Sequence, residues 1–309
     1  MAASIPHDGW VLRRGDADYP AALEDLPDPP ARLFGRGAVE ALRLPSLSIV
    51  GTRRITPYGE ALCELAAQIA VESGLAVVSG GALGCDMVAG RKALDAGGVH
   101  IVVLGTGADV AYPARNAGLF EEAICRGGAV VSLEPWGMQP RRYAFPKRNP
   151  IIAALSAAVF VAEAGMPSGT FSTAEAAVQV GREVLAAPGS VFSPASRGSN
   201  YLIEAGATIV PDAAGLECAL SRIYGTLRHE YVPDPSASSP DTVTQKVLDA
   251  LAATPLTAEE LRCVIGCDAR SCLELLSELT VAGRVERLID GRYAASAGAL
   301  LERSLHGAQ

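Results

Sequence analysis

The residues best suited to chemistry in this sequence are basic and aromatic residues that alternate between positions 141 and 149. This segment holds four basic side chains, two aromatic rings and one amide: Arg141, Arg142, Lys147, Arg148, Tyr143, Phe145 and Asn149. No acidic residue occurs between Glu134 and Glu163, so nearby carboxylates do not balance these charges. Basic side chains neutralise phosphates and aromatic rings stack on bases, a combination typical of single-stranded nucleic-acid sites. The segment therefore predicts a nucleic-acid contact, with a solvated charged surface as the alternative.

A pair of arginines follows the first strongly apolar segment of the chain. Leu47–Val50 is predicted as a buried strand, Gly51 ends it, and Arg53 and Arg54 come shortly after. A helix is predicted to begin near Thr56, so its unpaired N–H groups and its positive dipole end face the same region. This arrangement predicts a phosphate site, and it leaves open whether the phosphate belongs to a nucleotide or to a polymer.

Two more loops that follow predicted strands carry glycines and hydroxyl groups. They contribute Ser79, Gly80 and Gly81 in SGGALGCD, and Ser168, Gly169 and Thr170 in PSGTF. Glycine lets a backbone approach a ligand closely, so we expect the N–H groups of Gly51, Gly80 and Gly169 to bind phosphates. Asp86 ends the first loop, and it suits either the capping of its helix or a contact with a ligand.

Catalytic residues are not evident in these loops. The chain has four histidines, which lie outside all of them: His7, His100, His229 and His306. No spacing typical of a metal site, or of a nucleophile and its base, occurs in the sequence. The loop Gly105-Thr106-Gly107 lacks the third glycine of a dinucleotide site, so no nicotinamide cofactor is expected. We therefore expect a binding protein without metal or cofactor, and not an enzyme.

Alternating strands and helices must hold these loops in place. Apolar strands are predicted at Leu47–Val50, Leu75–Ser79, His100–Leu104, Ala129–Leu133, Ala157–Ala162, Glu183–Ala187 and Ala207–Val210. Strands of this kind, separated by amphipathic helices, form a parallel sheet that is covered on both faces, so the fold class is α/β. Ligands of such sheets bind at the carboxyl ends of the strands, which is where these loops occur.

The sequence divides into several predicted segments. They are a Pro-rich leader packed on the core (1–45), the α/β core (46–225), a linker (226–240), a three-helix module with a hairpin (241–295) and a frayed tail (296–309). Asp290-Gly291 is the expected hairpin turn, which makes the module a winged helix. The third predicted helix carries three acids and one arginine: Asp268, Glu274, Glu278 and Arg270. Because acids repel DNA phosphates, we expect this module to serve protein contacts or packing.

The overall composition excludes some classes of protein. The chain has 309 residues, of which 49% are hydrophobic and 19% charged, and its net charge is -8. Any nucleic-acid contact must therefore come from a local patch, because the whole molecule is acidic. Seven cysteines without C-x-x-C spacing predict mostly buried, reduced thiols. No signal pattern is evident and the longest apolar run, 151–162, is too short to span a bilayer. We expect a cytoplasmic protein without membrane insertion.

Six sequence motifs occur in one order between Tyr19 and Ala207. They are VGTRR-x-TPYG, VVSGGALGCD, LGTG-x-x-x-x-YP, FPKRN-x-IIAALS, VAEA-x-x-x-SGT and GSN-x-LI-x-x-GA. Together they resemble the DNA-processing protein A (DprA/Smf) family of bacteria. The resemblance implies an extended Rossmann-like core with a C-terminal winged helix, assembled as a homodimer. It also implies a protein that binds and protects single-stranded DNA (ssDNA) and loads the RecA recombinase in natural transformation.

The resemblance further implies roles for individual residues. By position, the DNA-contacting residues of the family correspond to Arg53, Arg115, Lys147, Arg148 and Asn149, and the dimer contacts to Tyr201, Leu202 and Ile203. The sequence departs from the family pattern at Gly90, where a histidine is usual, and in SGGALGCD, which lacks the usual arginine. Pro150 replaces the last arginine of the usual RNR.

Two other functions fit parts of the sequence. PSGTFSTAE resembles the PGG-x-GT loop of nucleotide phosphoribohydrolases, for which Glu175 and Arg148 are the candidate catalytic pair. Ser172 and Glu175 also have the spacing of a capping box, which gives Glu175 a purely structural role. The acidic winged helix alternatively predicts an adaptor protein that acts without DNA.

Overall fold

The core of the molecule is one extended sheet. The structure, a computed structural model, describes residues 6–225 and 242–306. Nine strands form this sheet within the described ranges: β1 (Gly9–Arg13), β2 (Arg32–Gly37), β3 (Ser46–Val50), β4 (Ala76–Ser79), β5 (His100–Leu104), β6 (Ala129–Ser132), β7 (Ala158–Val161), β8 (Glu183–Ala186) and β9 (Thr208–Ile209). Their order across the sheet is β1-β2-β6-β5-β4-β3-β7-β8-β9. All pairs from β6 to β9 are parallel, as the α/β prediction requires.

Helices cover both faces of the sheet, which explains why its strands are apolar throughout. The core helices are α1 (Pro57–Glu72), α2 (Cys85–Asp95), α3 (Ala117–Cys125), α4 (Ala144–Leu155), α5 (Thr170–Gln179), α6 (Arg197–Glu204) and α7 (Ala213–Tyr224). Helices α4 and α5 cover one face, where Ile152 and Ala177 are buried. Helices α1 and α7 cover the other face, where Ile69 and Leu216 are buried. The predicted α/β fold is confirmed, and each predicted strand ends within one residue of its predicted bounds.

Helix α1 follows from its local sequence. The Thr56 Oγ1 accepts a hydrogen bond from the Gly59 N–H at 3.2 Å, and Pro57 occupies the first helical position. The threonine satisfies an N–H group that would otherwise be unpaired, and the proline ring fixes a helical φ. The helix stops before Gly74, whose φ of +75° is favourable only for glycine. The positive end of α1 therefore lies just beyond the turn that follows β3.

The leader is part of the sheet, which the sequence did not predict. Strand β2 pairs with β6 in the antiparallel direction, and β1 pairs with β2. Short 3-10 helices at Ala21–Asp25 and Val39–Arg43 flank β2. The leader strands contain glycine and arginine in place of a continuous apolar run, and Gly35 is needed because the Trp10 ring lies where a Cβ would be. Their pairing with the core holds them in the sheet.

Helix α4 starts within the basic segment, and the sequence does not predict it. Pro150 lies inside this helix, where a proline is unusual. The predicted capping box at Ser172 and Glu175 is wrong. Helix α5 begins at Thr170 after Gly169, with no side-chain cap. The Ser172 Oγ instead donates to the Gly169 carbonyl and accepts from the Asn149 side chain. The hydroxyl therefore ties α5 to α4.

The C-terminal module is a winged helix, as predicted. It contains α8 (Thr242–Ala253), α9 (Ala258–Ile265), α10 (Ala269–Val281), β10 (Val285–Arg287) and β11 (Tyr293–Ala295), and the two strands pair as an antiparallel hairpin. Asp268 caps α10 by accepting from the N–H groups of Arg270 and Ser271. Gly291 has the positive φ that the hairpin turn requires. The predicted linker, 226–240, lies outside the described residues.

Most of the predicted tail is a helix, α11 (Ala297–His306), so the expectation of a frayed end is wrong for these residues, and residues 307–309 lie outside the described ranges. Ala299 is buried in the winged-helix core, and Leu301 packs against the core of the α/β domain. Small and apolar residues at these positions give the segment a face to bury. Of the described helices, none is both long and apolar enough to cross a bilayer.

The prediction of mostly buried cysteines is wrong. Three are buried (Cys63, Cys85, Cys272), three are exposed (Cys125, Cys218, Cys263) and Cys267 is intermediate. The exposed thiols lie on helices α3, α7 and α9, at positions that face solvent. An apolar sequence context alone therefore did not determine their burial.

Candidate nucleic-acid cleft

A cleft of about 660 Å³ opens at the carboxyl end of the sheet, between the turn after β3, helix α4 and the start of α5. Nine predicted site residues line it: Gly51, Arg53, Arg142, Phe145, Arg148, Asn149, Ser168, Gly169 and Thr170. They come from three separate parts of the chain that the fold brings together. Gly51 is required at the turn because a Cβ there would lie 2.4 Å from the Cys85 Sγ.

An aromatic pair and a cation form one side of the cleft. The Phe145 ring lies 5.5 Å from the Tyr112 ring, and the Arg53 guanidinium lies 5.8 Å from the centre of the Phe145 ring. The tilted ring pair and the cation–π contact fix the rings in place while Tyr112 remains 45% exposed. Tyr112 was not predicted from the sequence. Its signal is the YP pair that follows the Gly-rich loop after β5.

Arg148 is the buried cation of the cleft. Its side chain is 5% exposed, and one Nη1–H donates to the Val103 carbonyl. The buried Nε has no hydrogen-bond partner among the described residues. The guanidinium lies against Gly80, where a Cβ would be 1.9 Å from Nη1. Burial lowers the pKa of Arg148 to about 10, against the raising effect of Asp86, so the group stays charged at neutral pH.

Asp86 both lines the cleft and organises the loop behind it. Its Oδ2 accepts from the N–H of Gly80 at 3.0 Å and from that of Ala82 at 3.2 Å. Burial raises the pKa of the Asp86 carboxyl, while Arg148 and these two hydrogen bonds oppose the rise. The expectation that the Gly80 N–H binds phosphate is therefore wrong, because Asp86 already accepts from it.

Ser79 and Gly81 lie behind the cleft and do not line it. The Ser79 Oγ is fully buried and lies 3.0 Å from the His100 Nε2. Gly81 is buried, and its carbonyl accepts from the Asn116 side chain at 3.0 Å. Burial lowers the pKa of His100 to about 3, so the imidazole is neutral. These residues support the floor of the cleft, and their groups face away from a ligand.

The opposite rim is formed by the start of α5. The Ser168 Oγ donates to the Thr170 Oγ1 at 3.0 Å and accepts from the Thr170 N–H at 3.2 Å. The Asn149 Nδ2 donates to the Ser172 Oγ at 2.6 Å. These bonds hold the hydroxyls in fixed positions beside Arg148. A ligand would therefore meet a rim that is already organised.

Five predicted contact residues are exposed outside the lining of this cleft: Arg54, Arg115, Arg141, Tyr143 and Lys147. The Lys147 Nζ pairs with Glu134 at 3.1 Å. Arg115 follows β5, and the α4 residues follow β6, so both lie beyond the carboxyl ends of parallel strands. The cations of the cleft and these neighbouring residues therefore lie at the same carboxyl end of the sheet.

The predicted dimer residues lie on α6, and none of them lines the cleft. Tyr201 is 48% exposed, and its ring lies 5.8 Å from that of Phe171 in an edge-to-face arrangement. Ile203 is partly buried. Leu202 is buried within its own chain. Of the three, Tyr201 is the most accessible to a partner.

Comparisons with known proteins match both parts of the chain. A family model described as DNA recombination-mediator protein A matches residues 10–219, and a DprA winged-helix model matches residues 232–291. Protein Smf of Escherichia coli is 41% identical over 194 residues, which are 63% of this chain and 52% of that protein. The DNA processing protein DprA of Streptococcus pneumoniae is 41% identical over 195 residues, 63% of this chain and 68% of that protein. The alignment thus spans about half of the Escherichia coli relative.

A solved structure of the DNA processing protein A of Helicobacter pylori also matches. Its TM-score is 0.63 at 29% sequence identity, with 70% of this chain and 97% of that chain covered. That protein has a unique single-stranded DNA binding mode. The first family model alone covers more than half of the sequence, and its bounds contain the whole cleft. This chain therefore belongs to the DNA recombination-mediator protein A family.

Proposed function

We propose that this chain binds ssDNA in the cleft and passes it to a RecA recombinase. The observation that carries the proposal is Arg148, a buried cation that lines the cleft and whose Nε has no hydrogen-bond partner among the described residues. A buried charge of this kind is costly unless a ligand or partner completes its bonding. The Helicobacter pylori relative, which binds single-stranded DNA, supports the assignment of that ligand.

Each part of the cleft has a role in this proposal. Arg53 and Arg142 neutralise backbone phosphates at the rim, and Arg148 and Asn149 contact the strand at the floor. Bases stack on Phe145 and Tyr112, an interaction that tolerates any base because each base has an aromatic face. Binding of this kind depends on phosphate charge, so it weakens steeply as salt is added. The net charge of -8 is compatible with it because the cations are concentrated at one edge.

The later steps extend the same proposal. The chain acts as a homodimer in the cytoplasm, protects the bound strand, and loads RecA onto it during natural transformation. The family description, recombination mediator, supports a role between ssDNA and a recombinase. Two linked clefts would hold one strand more tightly than either cleft alone, because the second contact is intramolecular.

A nucleotide phosphoribohydrolase is the second candidate function. It requires Glu175 and Arg148 to act together, but Glu175 is exposed on α5 and does not line the cleft. Asp86 is the one carboxylate among the described lining residues, and its Oδ2 is occupied by two N–H groups. Incubation with AMP and detection of free adenine tests this alternative. Robust turnover would contradict the binding proposal.

The ssDNA proposal is tested by titrating labelled oligothymidylate and a matched duplex over a salt series. We compare the unmodified chain with Arg53→Ala and with Arg222→Ala, a control on α7 whose side chain is also exposed. We expect Arg53→Ala to lower the salt slope for ssDNA by about 0.7, the contribution of one phosphate contact. An unchanged slope in Arg53→Ala, or stronger binding of the duplex than of ssDNA, would contradict the proposal.

A further inference from the structure

A second groove lies beside the ssDNA cleft. Its volume is about 770 Å³, and it is enclosed by residues 26–32 on one side and by α4 and α5 on the other. The lining is largely apolar and includes Pro29, Pro30, Phe34, Leu133 and Ile151. Lys147 and Ile151 of its lining belong to the motif FPKRN-x-IIAALS, but no described residue lines both the groove and the cleft.

The mouth of this groove lies at the same edge of the sheet as the cleft. Phe34 pairs with Ser132 at the carboxyl end of β6, and β2 runs antiparallel to β6. Arg32, two residues before Phe34, is therefore beyond the carboxyl end of β6. The cleft is built at the carboxyl end of β3, and β3 and β6 run in the same direction. The end of the groove at Arg32 and Leu133 therefore lies at the same carboxyl end of the sheet as the cleft.

Helix α4 separates the two sites and contributes to both. Arg148, Asn149 and Ile152 line the cleft. Lys147, Pro150 and Ile151 line the groove. A helix with its side chains is about 10 Å wide, which a nucleic-acid strand crosses within a few nucleotides. The exposed residues Arg141 and Tyr143 lie at the end of α4 that faces this crossing.

The charges at the groove favour a polyanion at its mouth. Arg32 is exposed and makes no ion pair with the described residues. Lys147 is 55% exposed at its side chain and pairs with Glu134, which is nearly buried. Asp28 is the one acid among the described lining residues, against the two cations Arg32 and Lys147. Arg32 and Lys147 would therefore contact phosphates, while proline and phenylalanine faces receive bases.

We propose that this groove is a second ssDNA subsite that continues the path of the cleft across the N-terminal end of α4. The inference rests on the proposed function, because the strand reaches the groove from the cleft. It predicts that a short oligonucleotide occupies the cleft alone, and that a longer one gains affinity from the groove. The charge of Arg32 contributes only to the affinity that longer oligonucleotides gain from the groove.

Fluorescence anisotropy with oligothymidylates of increasing length tests the second subsite. The variant is Arg32→Glu, an exposed change, and the control is Arg222→Glu, which makes the same charge reversal on α7. For short oligothymidylates we expect equal affinities in all three proteins. For long ones we expect Arg32→Glu alone to lose roughly fivefold to tenfold in affinity. Its salt slope should also fall by about 0.7.

The outcomes separate this inference from the proposed function. If Arg32→Glu binds every length as the unmodified chain does, the groove takes no part in the path, although the cleft still binds ssDNA. A groove that is occupied by a protein segment would give the same length-independent result. If the unmodified chain binds no oligothymidylate of any length, the proposed function itself is wrong.

Discussion

Arg148 is the residue on which the cleft depends most. A buried guanidinium normally has all its donors satisfied, yet Nε of Arg148 has no partner among the described residues. Gly80 allows this position because any side chain there would overlap the guanidinium. The sequence indicated Arg148 as a contact residue. It could not indicate its burial, which depends on the packing of α4 against a loop more than sixty residues earlier.

Tyr112 supplies the first prediction at the level of single residues. Tyr112→Ala should weaken ssDNA binding by roughly 1–3 kcal/mol, because it removes a partly exposed stacking surface beside Phe145. Tyr143→Ala is the matched control, since Tyr143 is 60% exposed but does not line the cleft. Anisotropy titration with one labelled oligothymidylate, short enough to occupy the cleft alone, compares the two. A larger loss in Tyr143→Ala than in Tyr112→Ala would reverse our assignment of the stacking residue.

Gly90 supplies the second residue-level prediction, on stability. A Cβ at this position would lie 2.2 Å from the His100 Cε1, so Gly90→Ala should destabilise the chain by about 1–3 kcal/mol. Gly118→Ala is the control, because Gly118 is also helical and a Cβ there would meet no described atom within 4 Å. Replacing an unhindered helical glycine by alanine is stabilising by up to about 1 kcal/mol. Urea unfolding measures both, and equal effects would contradict the packing argument.

A helix or strand could be predicted from the sequence where neighbouring residues specify it, and not where contacts with distant segments hold it. Helix α1 was predictable because Thr56 and Pro57 specify its start and apolar residues recur along it. Helix α4 was not, since Pro150 removes an N–H group and the first half is basic. Strands β1 and β2 are held by pairing with β6 and with each other, a contact between distant segments that no local pattern encodes.

Helix α11 gives a prediction at this scale. Deleting residues 297–309 removes Ala299 and Leu300 from the winged-helix core and Leu301 from its contact with the α/β domain. The loss of this buried apolar surface should destabilise the winged helix by about 2 kcal/mol. Thermal unfolding of the full chain and of the deleted chain measures the difference. Identical unfolding curves would indicate a dispensable tail, as the sequence first suggested.

For the whole molecule, His100 predicts how stability depends on pH. Burial lowers its pKa to about 3 from an ordinary value of 6.5. Below pH 6.5 the unfolded chain therefore binds a proton that the folded chain does not bind until about pH 3. Stability from this group is fully present above pH 6.5 and falls as the pH decreases, by about 1.4 kcal/mol for each pH unit.

The variant His100→Leu tests this dependence. It removes the titrating group, so its stability should change less between neutral pH and about pH 5 than that of the unmodified chain. The relevant measurement is the slope of unfolding free energy against pH, because the substitution also removes the contact with Ser79 and lowers stability at every pH. Parallel slopes in the two proteins would assign the pH dependence to other groups.

Large hydrophobic residues are exposed on α5 and α6, where the proposed homodimer would form its interface. Phe171 and Val178 lie seven residues apart on one face of α5, and Tyr201 of α6 contacts the Phe171 ring. Val178 is 68% exposed and Phe192, in the preceding loop of α6, is 90% exposed. Residues of this size are normally buried, so a second copy of the chain is a suitable partner for this surface.

Charge placed on this surface should dissociate the dimer. The double variant Val178→Glu and Tyr201→Glu is compared with Val281→Glu, a change at a 91% exposed residue of α10. Light scattering after gel filtration should give a dimer mass for the unmodified chain and the control, and a monomer mass for the double variant. Long oligothymidylates should bind the monomer roughly 100-fold more weakly, since two clefts no longer share one strand. Short oligothymidylates should bind the monomer and the dimer equally, because each cleft is complete within one chain. A double variant that remains dimeric would place the interface elsewhere.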